Sequence, residues 1–173
     1  MSPTKTVYVL IGPKGSGKTH IGTLLERAFD ITFLSVEKLG LANIPQSTLT
    51  GRELLQEGFH QEEVEIDRIL AGTDAMSCES TGAAEYFYVV LERLRSKYDV
   101  KLLRIYSPLE TCYQRVHDRD QTAHIPVSEQ LLRSINEQAA TVDLNWDLQI
   151  DNSRPLPEWE ILDQFRSRFA GTT

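Results

Sequence analysis

The stretch Gly12-Pro13-Lys14-Gly15-Ser16-Gly17-Lys18-Thr19 lies directly behind the apolar run Thr6-Val7-Tyr8-Val9-Leu10-Ile11. Its Gly12, Gly17, Lys18 and Thr19 satisfy G-x-x-x-x-G-K-[ST], a spacing that carries meaning only between a strand and a helix. Both flanks are present, because Lys18 to Phe29 repeats apolar residues at helical spacing. A phosphate chain needs several backbone N–H groups converging on it. Only a loop with little side-chain bulk can provide them, and Gly12, Gly15 and Gly17 supply that freedom. The helix that follows adds free N–H groups and its positive dipole end, Lys18 can bridge the outer phosphates, and the Thr19 hydroxyl can ligate Mg2+. The cofactors expected are ATP and Mg2+, bound by Gly12, Gly15, Ser16, Gly17, Lys18 and Thr19, with His20 just behind them. Lys14 reads equally well as a ligand or as an exposed loop lysine.

The rest of the chain repeats this strand-helix alternation. Apolar segments at Thr6 to Ile11, Ile31 to Ser35, Asp74 to Glu79, Val100 to Tyr106 and Asp147 to Ile150 predict strands. Lys18 to Phe29, Ala84 to Lys97, Pro108 to Arg119, Ser128 to Val142 and Pro157 to Phe169 predict helices. Such βα units specify an α/β fold with a parallel sheet. Ser107, Pro108 and Glu110 read as a helix cap, first residue and capping box. Between the second and third strands, residues 37–72 hold no strand, but Arg52 to Glu57 and Glu62 to Ala71 look helical, so this segment is a helical insertion forming one wall of a site. Residues 119–128 are polar, contain one proline, and predict a mobile loop between two helices.

With 173 residues, the chain is the size of one domain. Its longest apolar stretches fall far short of the roughly 20 residues that span a bilayer. Met1-Ser2-Pro3-Thr4-Lys5 leads straight into a strand with no apolar leader, so a cytoplasmic location is expected. Two cysteines, Cys78 and Cys112, cannot form a disulfide framework and read as small core residues. Trp146 and Trp159 read as packing residues at the sheet edge. The net charge of −7 disfavours a broad nucleic-acid groove, which draws its affinity from Lys and Arg neutralising phosphates. A small-molecule substrate is expected, with the protein a monomer or homodimer.

Motors need further domains, and the base-reading Asn-Lys-x-Asp of switch GTPases is absent from the sequence. A compact phosphotransferase remains. At this point the chain resembles the shikimate kinase-like family of small P-loop kinases over most of its length. The resemblance implies a three-layer fold with a five-stranded parallel sheet in the order 2-3-1-4-5, a helical substrate-binding insertion at about 37–72 and a lid at about 119–128. The family's F-x-D-x-D corresponds to Phe33-Leu34-Ser35-Val36-Glu37, with Ser35 in place of the first Asp. Its Gly-Gly-Gly corresponds to Cys78-Glu79-Ser80-Thr81-Gly82, where only Gly82 remains. The insertion reads Gly58-Phe59-His60-Gln61 and lacks the family's Phe-Arg pair. The resemblance thus implies a rebuilt acceptor site lined by Ser35, Glu37, Glu79, Ser80, Thr81 and Gly82, and an acceptor other than shikimate. In the lid, Arg119-Asp120 matches the family's Arg-Asp pair, and Arg115 lies one helical turn earlier. Asp151-Asn152-Ser153 resembles the adenine-contacting turn, although Asp and Asn favour turns for local reasons.

Phosphoryl transfer to a hydroxyl also needs an acid beside the phosphates. Parallel sheets place such groups at the carboxyl ends of strands. Glu37 follows the second strand and Glu79 ends the third; either could contact Mg2+ or serve as base, with Thr19 and Glu37 as the metal pair. Glu37 also opens Glu-Lys-Leu-Gly-Leu-Ala, which itself suits a helix start. Glu79, in a central strand, would be costly to bury without a partner or a task. Lys18, Glu79, Glu37 and Arg119 form the candidate catalytic set. His124 could meet phosphate or substrate, although a lone loop histidine is ordinarily solvated, and Cys112, His117 and His124 lack zinc-like spacing. The expected function is an ATP-dependent kinase acting on a hydroxyl of a small polar metabolite. The alternatives are a nucleotide-binding regulator or weak ATPase, and a kinase for a nucleotide or a nucleic-acid end.

Overall fold

The computed structural model describes residues 4–44 and 47–169. The leader reading on Met1-Ser2-Pro3 therefore lies outside the described residues. Five strands, β1 (Thr6–Ile11), β2 (Thr32–Leu34), β3 (Ala75–Ser80), β4 (Asp99–Tyr106) and β5 (Leu148–Asp151), form one sheet in the order β2-β3-β1-β4-β5. All pairings are parallel, with Leu10 beside Glu79 on one flank of β1 and Leu103 on the other. The order 2-3-1-4-5 and the five strands match the sequence reading.

The central strand β1 is buried on both faces, as parallel sheets require. Its Val7, Val9 and Ile11 face a core with α3 (Gly51–Gly72) and α4 (Glu85–Lys97). Tyr8 and Leu10 face a second core with α1 (Lys18–Phe29) and α7 (Glu158–Phe169). The period-two alternation of side chains thus builds the two outer layers from one strand. Helices α5 (Leu109–Asp118) and α6 (Glu129–Thr141) share a smaller cluster around Tyr113, Val116 and Leu132. Ser128 caps α6 by accepting from Leu131 N–H, and both cysteines are buried free thiols.

Several local expectations change. Ser35 leaves β2 early and caps α2 (Val36–Asn43), its hydroxyl accepting from Lys38 N–H. The insertion is α2 followed by α3, one continuous helix of 22 residues, and not two short pieces. Gly58 sits within α3, where glycine costs about 1 kcal/mol relative to alanine. The stripe of Glu62, Ile66 and Leu70, buried four residues apart, outweighs that cost by seating the helix. Ser107 does not cap α5: its hydroxyl donates instead to the Asn152 carbonyl at 2.7 Å, and the start of the helix has no side-chain cap. The 119–128 segment contains a short 3-10 turn, Gln121–Ala123, held by the Asp120 carboxylate accepting from Thr122 N–H. Trp146 packs against the core, but Trp159 is 68% exposed and packs no sheet edge. No helix among the described residues is long and apolar enough to cross a membrane.

Candidate active site

The loop between β1 and α1 turns through Gly15 and Gly17, whose φ values of +88° and +106° lie in the left-handed region that favours glycine. A Cβ at Gly15 would stand 2.3 Å from the Cys112 carbonyl oxygen, and one at Gly17 the same distance from the Asn152 amide nitrogen. The loop is therefore pressed between α5 and the turn after β5. Asn152 donates to the Ser16 carbonyl at 2.8 Å. From α6, the buried Asn136 accepts from Lys14 N–H at 2.8 Å and donates to Lys14 carbonyl at 2.9 Å. Arg115 donates to the Asn152 carbonyl, the Ser107 hydroxyl and the Gly15 carbonyl at 2.8, 3.0 and 3.4 Å. The glycine-rich loop is thus held by contacts from three other elements.

Lys18 is 8% exposed, and its ammonium donates to the Gly12 and Pro13 carbonyls, both at 2.8 Å. Burial pushes its pKa down to about 8, against the opposing pull of Glu79. A buried ammonium with only carbonyl partners is a group still short of a counter-ion. Two further buried atoms of the region, Ser16 Oγ and Arg119 Nε, have no hydrogen-bond partner at all. Lys18 and Arg119 both line the cavity described below, whereas Ser16 is fully buried and outside its lining.

The acids divide between two environments. Glu79 accepts from the Thr19 hydroxyl at 2.8 Å and from the Ser35 hydroxyl at 3.2 Å. Its position at the end of β3, next to β1 in the sheet, brings it to the first turn of α1. Glu37, on α2, instead meets basic side chains: Lys14 Nζ at 2.7 Å, Arg119 at 3.8 Å, and His124 Nδ1. Burial alone would raise its pKa, but Lys14, His124 and Arg119 hold it below the ordinary carboxylate value. This cluster ties the insertion to the lid, and Ile125 packs close beside Gly40 of α2. Lys14 and His124 are accordingly partnered groups and not solvated ones.

These elements enclose a cavity of about 430 Å3 whose lining includes Lys18, Thr19, Glu37, Glu79, Arg115 and Arg119. Gly15, Gly17, His20, Ser80 and Thr81 also line it. Ser35 and Asn152 act from behind, through Glu79 and the Ser16 carbonyl. Gly82 lies in the turn after β3, where its N–H donates to Ser80 Oγ. Asp151 is exposed and outside the cavity lining, its carboxylate accepting from Ser153 N–H within its own turn.

Two residues of the site escaped the sequence reading. Asn136 was hidden in a helix, although its spacing from Leu132 and Ala139 places it on the buried stripe. Glu62, on α3, is 6% exposed and lines the cavity. Burial and the nearby Glu79 push its pKa up to about 8, although the Cys78 thiol donates a hydrogen bond to it. Its four-residue spacing from Ile66 and Leu70 was the available signal. Among the described residues, no group of three or more His, Cys, Asp or Glu side chains could hold a metal ion.

A five-stranded parallel sheet in this order, flanked by helices, matches the P-loop kinase fold of solved structures. Solved structures agree. The chain is similar to a putative kinase from Chloroflexus aurantiacus, with 15% identity, TM-score 0.72 and all of both chains covered. It is similar to a sugar kinase from Janibacter sp., with 16% identity, TM-score 0.68, and 97% of this chain and 95% of the other covered. Shikimate kinase from Aquifex aeolicus is similar at 20% identity and TM-score 0.62, over 95% of this chain and 96% of the other. No protein-family model matches the sequence, and a search of curated proteins finds no match.

Proposed function

We propose that the protein is an ATP-dependent kinase that transfers the γ-phosphoryl group to a hydroxyl of a small polar metabolite. The observation that carries this reading is the convergence of a preformed anion loop, the Thr19–Glu79 pair and Arg119 on one cavity, closed on its far side by the insertion. The kinase fold of the neighbours agrees with it.

In this reading the loop N–H groups and Lys18 hold the outer phosphates, Lys18 leaving the Gly12 and Pro13 carbonyls to do so. Thr19 and Glu79, hydrogen-bonded to each other in the cavity, are the residues that would hold Mg2+. Glu37 is already engaged by Lys14, Arg119 and His124, which makes it a closing contact between α2 and the lid. When bound, Mg2+ would neutralise charge on the phosphates. The acceptor oxygen forms a bond to the γ-phosphorus as the bond to the β–γ bridging oxygen breaks, and the hydroxyl proton passes to Glu79 or to water. Arg119, whose Nε lacks a partner, stabilises the transferring group from the lid. Ser107, Arg115 and Asn152 keep the loop in register. Much of the acceleration would come from positioning and electrostatics.

The test is ADP release from Mg-ATP with and without hydroxyl compounds, using Lys18→Ala as control. Acceptor-dependent release that vanishes in the control supports the kinase. Tight ATP binding with turnover unresponsive to every acceptor would contradict it and favour a nucleotide-binding regulator.

A further inference from the structure

The cavity is electrostatically lopsided. Its basic lining residues, Lys14, Lys18, His20, Arg115, Arg119 and His124, all belong to the phosphate loop, α1, α5 or the lid. Another wall is built from Leu55, Phe59 and Glu62 of α3 and from Glu79, Ser80, Thr81 and Ala84. Among the described residues of that wall there is no lysine, arginine or histidine. A carboxylate on the acceptor would find no counter-ion there.

Glu62 sits in this wall. Its neighbour Glu63 is paired with Arg93 at 3.0 Å. No ion pair among the described residues serves Glu62, whose hydrogen bond comes from the weakly donating Cys78 thiol. Glu79 and Glu63 add like charge nearby. A carboxyl so placed is stabilised most by a cation delivered from outside the protein. Phe59 lines the same wall, its ring held by Tyr86 at 5.7 Å between centroids, and an aromatic face also favours a cation.

Resting on the kinase reading, we propose that the acceptor is a hydroxyl compound carrying a cationic amine, whose ammonium group is received by the Glu62 carboxylate beside Phe59. Hydroxy acids and uncharged polyols are the poorer acceptors. Binding of the ammonium ionises Glu62 and releases its proton to solvent.

Two matched probe sets test this: serinol, glycerol and glycerate, and glucosamine, glucose and gluconate. Each is titrated into the Mg-ADP-loaded protein by calorimetry in two buffers of different ionisation enthalpy, and each is then offered as acceptor with Mg-ATP. The expected result is that the amine of at least one set binds about tenfold or more tighter than its neutral partner. Its binding at pH 7 should release a substantial fraction of one proton. Glu62→Gln should bring the amine-to-polyol ratio to about one and abolish the proton release. Should that variant fail to fold, the wild-type preference and proton count decide alone. The inference is overturned if neither set contains a tighter-binding amine, if the amine binds without proton release, or if Glu62→Gln keeps the preference. Phosphorylation of a polyol or hydroxy acid without amine preference would sink the inference and leave the kinase reading standing. Glu62-dependent amine binding with no transfer to any probe would count against the kinase reading.

Discussion

Lys18 combines burial, two carbonyl partners and a pKa lowered to about 8, and the proposed kinase gives its charge to the phosphates. Lys18→Ala should lower phosphoryl transfer on the order of 10^2 to 10^3-fold while circular dichroism and thermal midpoint stay near wild type. Glu62 carries a separate prediction. Its carboxyl titrates near 8 in the folded protein, against an ordinary value of 4.5. The folded state therefore holds a proton that the unfolded state has lost, and the stability linked to Glu62 falls as pH rises from about 4.5 toward about 8. Glu62→Gln removes this loss, so the variant should gain on the order of 1–3 kcal/mol relative to wild type between pH 5 and pH 8.5. Urea denaturation at the two pH values measures it, and a parallel decline in both proteins would count against the buried acid. The glycine-rich loop between β1 and α1 was legible because its spacing is local. Glu62 was not, because Glu62, Glu63 and Glu65 read as a charged face until α3 is docked and its stripe decides which of them turns inward.

Elements hold the loop in place from a distance. Asn136 on α6 clamps both the N–H and the carbonyl of Lys14 and is fully buried. Asn136→Ala leaves those buried backbone groups unpaired, so it should cost on the order of 1–3 kcal/mol in stability. It should also raise the KM for ATP more than it lowers kcat, because the loop binds less well but the reacting groups remain; equal effects on both would contradict a positioning role. Boundaries at this scale were partly readable. Strand-helix alternation gave every strand to within two residues. The continuity of α3 through Gly58 was hidden because tertiary burial overrode a local helix breaker. Ser107 looked like a cap by its neighbours, yet its hydroxyl is taken by Asn152, 45 residues away. Neither outcome can be derived from nearest neighbours in sequence.

At the scale of the whole molecule, an acidic chain gathers Lys14, Lys18, Arg115 and Arg119 around one cavity. The net charge of −7 and that local cluster are compatible because the four residues converge from separate elements. The glycine-rich loop that lines one side of the cavity was legible because one local motif encodes it. The acceptor half assembles α3 with the end of β3, and the geometry of Phe59, Glu62 and Glu79 exists only in the folded state. The measurement that bears most directly on the whole account is transfer of labelled γ-phosphate from Mg-ATP to a panel of small hydroxyl compounds. The panel should span amines, polyols and hydroxy acids, shikimate included. The account predicts a phosphorylated product from at least one compound, lost in Lys18→Ala and strongly reduced in Arg119→Ala. ATP that binds at the loop yet yields no labelled product with any of them would contradict it.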